Sequence, residues 1–99
     1  MDLDLRTMKK GFMNLTFSDG TKLTLTQPTV ALVMELQDLQ KSSDPEVREL
    51  VNITEKALSR NRQGKEITPE FVADEFEIGE MMQFLGHYLQ FIGEVEKNF

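Results

Sequence analysis

A chain of 99 residues, 39% hydrophobic and 28% charged, suits one folded domain (1–99) with a modest core, which points to self-association or a partner as further support. It has no cysteine, which excludes disulfide staples, thiolate zinc sites and thiol catalysis and fits a reducing cytoplasm. A net charge of -6 disfavours nucleic acid, and the chain has neither a signal-peptide pattern nor a run of about 18 apolar residues to suggest export or a membrane span.

Residues 1–11 carry no periodic pattern and read as a flexible N-terminus. Residues 12–26 read as a β-hairpin: Met13, Leu15 and Phe17 alternate with polar residues, as do Leu23 and Leu25. Between the two runs stands Ser18-Asp19-Gly20. A two-residue turn would set Leu15 against Thr24, an apolar side chain against a polar one. A three-residue loop with Gly20 in the left-handed conformation pairs Phe17 with Thr21, Leu15 with Leu23 and Met13 with Leu25.

Residues 27–99 read as helical. A first helix is expected from about Gln27 to Gln40, entered through Thr26 with Pro28 in its first turn. Leu32, Leu36 and Leu39 fall on one side of it and Val30, Val33 and Met34 on the other, so it should be sandwiched between the hairpin and later helices. Asp44 is expected to cap a second helix with Pro45 at its first position, presenting Val47, Leu50, Val51, Thr54, Ala57 and Leu58 on one face up to about Arg60. Asn61–Lys65 reads as an exposed loop, and Thr68-Pro69-Glu70 opens a short third helix to about Phe76.

The last segment repeats in sevens as IGEMMQF, LGHYLQF and IGEVEKN, followed by Phe99. Ile78, Leu85, Ile92 and Phe99 fill one core position of this heptad and Met81, Tyr88 and Val95 the other. Met82, Phe84, Leu89 and Phe91 widen the apolar stripe. Gly79, Gly86 and Gly93 recur once per heptad, which in a helix costs about 1 kcal/mol each and implies close backbone approach or flexibility. The fold class expected is therefore α+β, an N-terminal β-hairpin followed by about four helices, the last long and heptad-patterned.

Nothing in the chain points to catalysis, a cofactor or a metal. His87 is the only histidine and has no partners at ligand spacing. Asp74, Glu75, Glu77 and Glu80 form an acidic run without the alternation and glycine of a calcium loop, which reads as a solvated face. The positive signal is the apolar excess of the last helix. Its Met81, Met82, Phe84, Tyr88 and Phe91 are the candidate partner-binding residues, and the width of the stripe implies at least weak self-association.

The hairpin, the helix led by Thr26-Gln27-Pro28-Thr29, the segment Ala57–Thr68 (ALSRNRQGKEIT) and the close Tyr88–Phe99 (YLQFIGEVEKNF) together resemble the tail assembly chaperones of long-tailed phages and prophages of low-GC Gram-positive bacteria. The resemblance covers most of the chain from Phe12 onward. It implies a small protein of the host bacterial cytoplasm that coats an aggregation-prone tape-measure protein while tail-tube subunits polymerise around it, with the tail-tube protein as a second candidate partner. Two other classes compete: a structural tail, connector or adaptor protein of the phage, and a small regulator such as an antitoxin or helix-turn-helix repressor, against which the acidic charge argues.

Overall fold

The computed structural model describes residues 2–8 and 10–97. The fold is α+β. A hairpin of β1 (Met13–Thr16) and β2 (Lys22–Leu25) is followed by α1 (Val30–Lys41), α2 (Val47–Leu58), α3 (Pro69–Glu75) and the long α4 (Ile78–Lys97), with a single 3-10 turn at Leu5–Thr7 ahead of them.

The hairpin has the register expected from its apolar alternation. Met13 faces Leu25 and Leu15 faces Leu23. The Phe17 N–H donates to the Thr21 carbonyl at 2.8 Å, and Gly20 adopts φ 91°, a value open to glycine at little cost. The inner face of the pair buries Leu23 and Leu25 and half-buries Met13 and Leu15.

Two helix starts differ from the expected ones. α1 begins at Val30, capped by Thr29, whose hydroxyl accepts from the Leu32 N–H at 3.2 Å. Pro28 disfavours helical geometry at Gln27, and Thr29 then offers a hydroxyl at the spacing a cap needs. α2 begins at Val47 and not at Pro45: Glu46 is extended, and its side chain makes no capping bond. Nothing in the local hydrogen bonding explains why Asp44 is passed over. α3 starts as expected, with the Thr68 hydroxyl accepting from the Phe71 N–H, but Phe76 is extended and stands outside it. Residues 76–77 then turn the chain into α4, where Glu80 reaches back to accept the Glu77 N–H at 2.8 Å. That is one half of a capping box. It gives a member of the supposedly solvated acidic run a structural task.

α2 is the central element, touching β2, α1 and α3. Leu50, Ile53, Ala57 and Leu58 enter the core with Leu32 and Leu36 of α1, Val72 of α3 and Met81, Phe84, Leu85, Tyr88 and Ile92 of α4. Each large apolar side chain so buried contributes roughly 1.5–3 kcal/mol. The expected sandwich around α1 is only half formed. Val33 is half-buried near Leu89 and Ile92, whereas Val30 is 78% and Met34 59% exposed. On α4 the heptad reading holds for Met81, Leu85, Tyr88 and Ile92 but fails at Ile78, which is 57% exposed; Phe99 lies outside the described residues.

Six rings tie these parts together. Phe71, Phe17, Phe76, Phe84, Tyr88 and Phe91 follow one another with centroid separations of 5.8, 5.7, 6.3, 5.6 and 6.1 Å. All lie within the range where aromatic pairs add about 0.5–1.5 kcal/mol beyond their burial. The series runs from α3 through the end of the hairpin and along α4.

Candidate functional site

Three of the five candidate partner-binding residues belong to the core. Met81 is 3%, Phe84 4% and Tyr88 0% exposed, so these three present no surface to a partner. The physical reason is the ring series: Phe84 meets Phe76, which packs on Phe17 at the end of the hairpin, Tyr88 stacks on Phe84, and Leu89 and Ile92 lie beside Val33 and Leu36 of α1. One helix therefore fills two internal contacts, and most of its stripe width is consumed inside the chain. The same finding removes Phe84 from any self-association surface. Phe91 is half-buried, its Cε1 3.8 Å from the point where a side chain on Gly11 would begin. Met82 alone of the five is exposed.

Met82 marks the face of α4 that turns to solvent. At 100° per residue, Gly79, Gly86 and Gly93 lie opposite the buried stripe, with Met82 and Ile78 along one border. Among the described residues, no heavy atom approaches within 4 Å of a Cβ built on any of the three glycines. The close backbone approach their spacing implies is thus not made among the described residues. The face that results carries the glycines along its middle, with exposed Ile78 (57%) and Met82 (49%) on one border and exposed Gln83 and Gln90 on the other.

A concave feature lies between β1 and α4. The groove encloses about 360 Å³ and is lined by Met13–Ser18 on one wall and by Glu75, Phe76, Glu80, Gln83, Phe84 and His87 on the other. The Ser18 hydroxyl closes one end, donating to Glu80 Oε2 at 2.6 Å. This bond and the Glu77 N–H hold the Glu80 carboxyl below its ordinary value of 4.5. His87 is exposed on the α4 rim, and among the described residues no three His, Asp or Glu side chains gather to hold a metal ion.

The two edges of the sheet are unequal. β2 is covered: Arg62 N–H donates to the Thr24 carbonyl at 2.9 Å, Thr26 N–H to the Arg60 carbonyl at 2.7 Å, and Thr24 N–H to Gln63 Oε1 at 3.0 Å. Because Phe17 and Thr21 are hydrogen-bonded, alternation along the ladder turns the backbone groups of Thr24, Asn14 and Thr16 outward. Among the described residues, no group meets the outward N–H and C=O of Asn14 or Thr16. The β1 edge is open along the groove.

The loop after α2 was legible only as exposed polar sequence, yet it is what fastens the hairpin. The Asn61 amide donates to the carbonyls of Leu58 at 2.8 Å and Lys65 at 2.9 Å, and its oxygen accepts the Lys65 N–H at 2.8 Å. Arg60 Nε donates to the Gln27 carbonyl at 2.6 Å. The Arg62 guanidinium sits 4.6 Å from the centre of the Phe12 ring, and the Lys65 ammonium 4.9 Å from that of Phe71. Asparagine followed three residues later by glycine, here with φ 69° at Gly64, was the one available signal of a closed turn.

No protein-family model matches the chain, and no curated protein and no solved structure matches it either. Among the described residues no helix is long and apolar enough to cross a membrane.

Proposed function

We propose that the protein is a tail assembly chaperone of a long-tailed phage or prophage, covering apolar helical segments of a tape-measure protein in the host cytoplasm until tail-tube subunits enclose it. The observation that carries this reading is the outer face of α4, where exposed Ile78 and Met82 border three glycines with open space above them. A glycine column lets a partner helix come close, and a methionine beside it adapts to side chains of varied shape. Temporary cover requires such moderate, adaptable contact. The net charge of -6 on every coating copy keeps loaded complexes apart. Release follows when tube subunits take over the same apolar stripes, so the cycle needs no nucleotide and no catalytic residue.

The binding residues therefore shift from the buried part of the stripe to its exposed border. Phe84 is unsuitable as a probe, since a charge there would strike the core. Ile78→Asp with Met82→Asp is suitable, because both side chains already face water. Co-expression with the tape-measure protein tests the reading. Its soluble yield should rise with the wild-type chain and fall back with the double variant, while circular dichroism of that variant stays unchanged. No gain with the wild-type chain would contradict the proposal; finding the protein as a stoichiometric part of mature particles would favour a structural tail component.

A further inference from the structure

The open edge of β1 and the apolar residues ahead of it in the chain fit one another. Leu3 is 78%, Leu5 62% and Met8 49% exposed. Among the described residues, the Leu5–Thr7 turn between them is held by exposed local groups: the Thr7 N–H donates to the Asp4 carbonyl at 3.1 Å, and the Asp4 carboxylate accepts from the Arg6 N–H at 3.0 Å and pairs with the Arg6 guanidinium at 2.8 Å. Such a pair contributes little in water.

The sequence supplies a second arrangement for these residues. Lys9-Lys10-Gly11 stands between Met8 and Phe12 as Ser18-Asp19-Gly20 stands between Phe17 and Thr21, a three-residue connection with glycine last. Folding back about it sets Met8 against Phe12, Arg6 against Asn14 and Asp4 against Thr16. Between them it sets Thr7 against Met13, Leu5 against Leu15 and Leu3 against Phe17.

Two independent parities agree with this register. A connection of this kind is closed by a hydrogen-bonded pair, as Phe17 and Thr21 close the existing one. Met8–Phe12, Arg6–Asn14 and Asp4–Thr16 would then be the hydrogen-bonded pairs, and Asn14 and Thr16 are the β1 residues whose backbone groups face outward without a partner. The side chains of residues 3–6 obey the second parity, while Met8 falls beside Phe12 on the polar face. Leu3 and Leu5 fall on the inner face with Leu15 and Phe17, over the groove. Asp4 and Arg6 fall on the polar face, where Thr16 is paired with Lys22, and so point away from Glu75 and Glu80. A shift of one residue would reverse every one of these matches.

We propose that residues Leu3–Met8 dock on the β1 edge as a third strand of the sheet and close the groove between β1 and α4, and that the occupant is the chain's own segment. Only three residues of sequence separate Met8 from Phe12, and a segment so tethered competes at an effective concentration of order mM against any other copy. The docking is independent of what binds the outer face of α4.

Amide hydrogen exchange of the full chain, followed by NMR, tests this. Asn14 and Thr16 amides should exchange roughly tenfold or more slowly in the wild-type chain than in the Leu3→Asp, Leu5→Asp variant, with Leu15 and Leu23 amides alike in both. Wild-type spectra should also show Hα–Hα contacts between Leu5 and Leu15, a measurement that does not depend on how the variant folds. Equal exchange at Asn14 and Thr16, or absence of the Leu5–Leu15 contact, overturns the proposal. Protection that grows with protein concentration overturns the assignment to the chain's own segment and gives the edge to a second copy.

Discussion

Two hydroxyls and one carboxylate set the expectations at the scale of single residues. Thr54 Oγ1 and Tyr88 Oη are buried and have no hydrogen-bond partner among the described residues. Burial pushes the Tyr88 hydroxyl up to about 12, so it stays neutral across the physiological range. A buried polar group without a partner costs about 1–3 kcal/mol. Tyr88→Phe and Thr54→Val should therefore raise the urea midpoint, each by the equivalent of about 1 kcal/mol, where a loss would mean that the hydroxyls are satisfied. Glu80 behaves oppositely. Its carboxyl lies below the ordinary value because the charged form accepts from Ser18, the larger cause, and from Glu77. A carboxyl depressed on folding stabilises the protein above the unfolded pKa and ceases to do so as pH falls through the folded one. Carbon-13 NMR titration should place Glu80 below an ordinary glutamate, and Ser18→Ala should move it back up. An unchanged midpoint in that variant would remove the hydroxyl from the account.

The elements were legible in the sequence to the extent that one periodicity decided them. The hairpin register followed from the alternation of Met13, Leu15 and Phe17 against Leu23 and Leu25, because only one loop length matches their faces. The starts of α1 and α2 were not decided so simply: Thr26, Thr29, Asp44 and Glu46 all stand near a proline, and local chemistry allows more than one cap. The site was legible as a helix, not as a face. An apolar stripe records how much of α4 is covered but not by what, so nothing in the sequence separates buried Phe84, which meets Phe76, and buried Tyr88 from residues free for a partner. Adjacent positions now separate the two roles. Phe84→Ala should cost roughly 3–5 kcal/mol of stability, and Met82→Ala no more than about 0.5 kcal/mol, as read by denaturant unfolding. Gly86→Ala should stabilise α4 by up to about 1 kcal/mol, since nothing lies within 4 Å to oppose the added methyl. If the glycine column is a contact surface, the same change weakens partner binding while it strengthens the fold.

For the whole molecule, the proposed function assigns the acidic charge to solubility and the exposed outer face of α4 to a partner. The buried half of the apolar stripe lies in the core, and the exposed border is the part proposed for binding. Met81 and Met82 place this division at neighbouring residues, one 3% and the other 49% exposed. Titration of the methyl-labelled protein with apolar helical segments of the tape-measure protein reads both at once. The Met82 and Ile78 methyl resonances should shift in a saturable manner while Met81 stays in place. Saturable shifts that leave Met82 and Ile78 unmoved, or no shifts at all, would contradict the outer face of α4 as the binding surface.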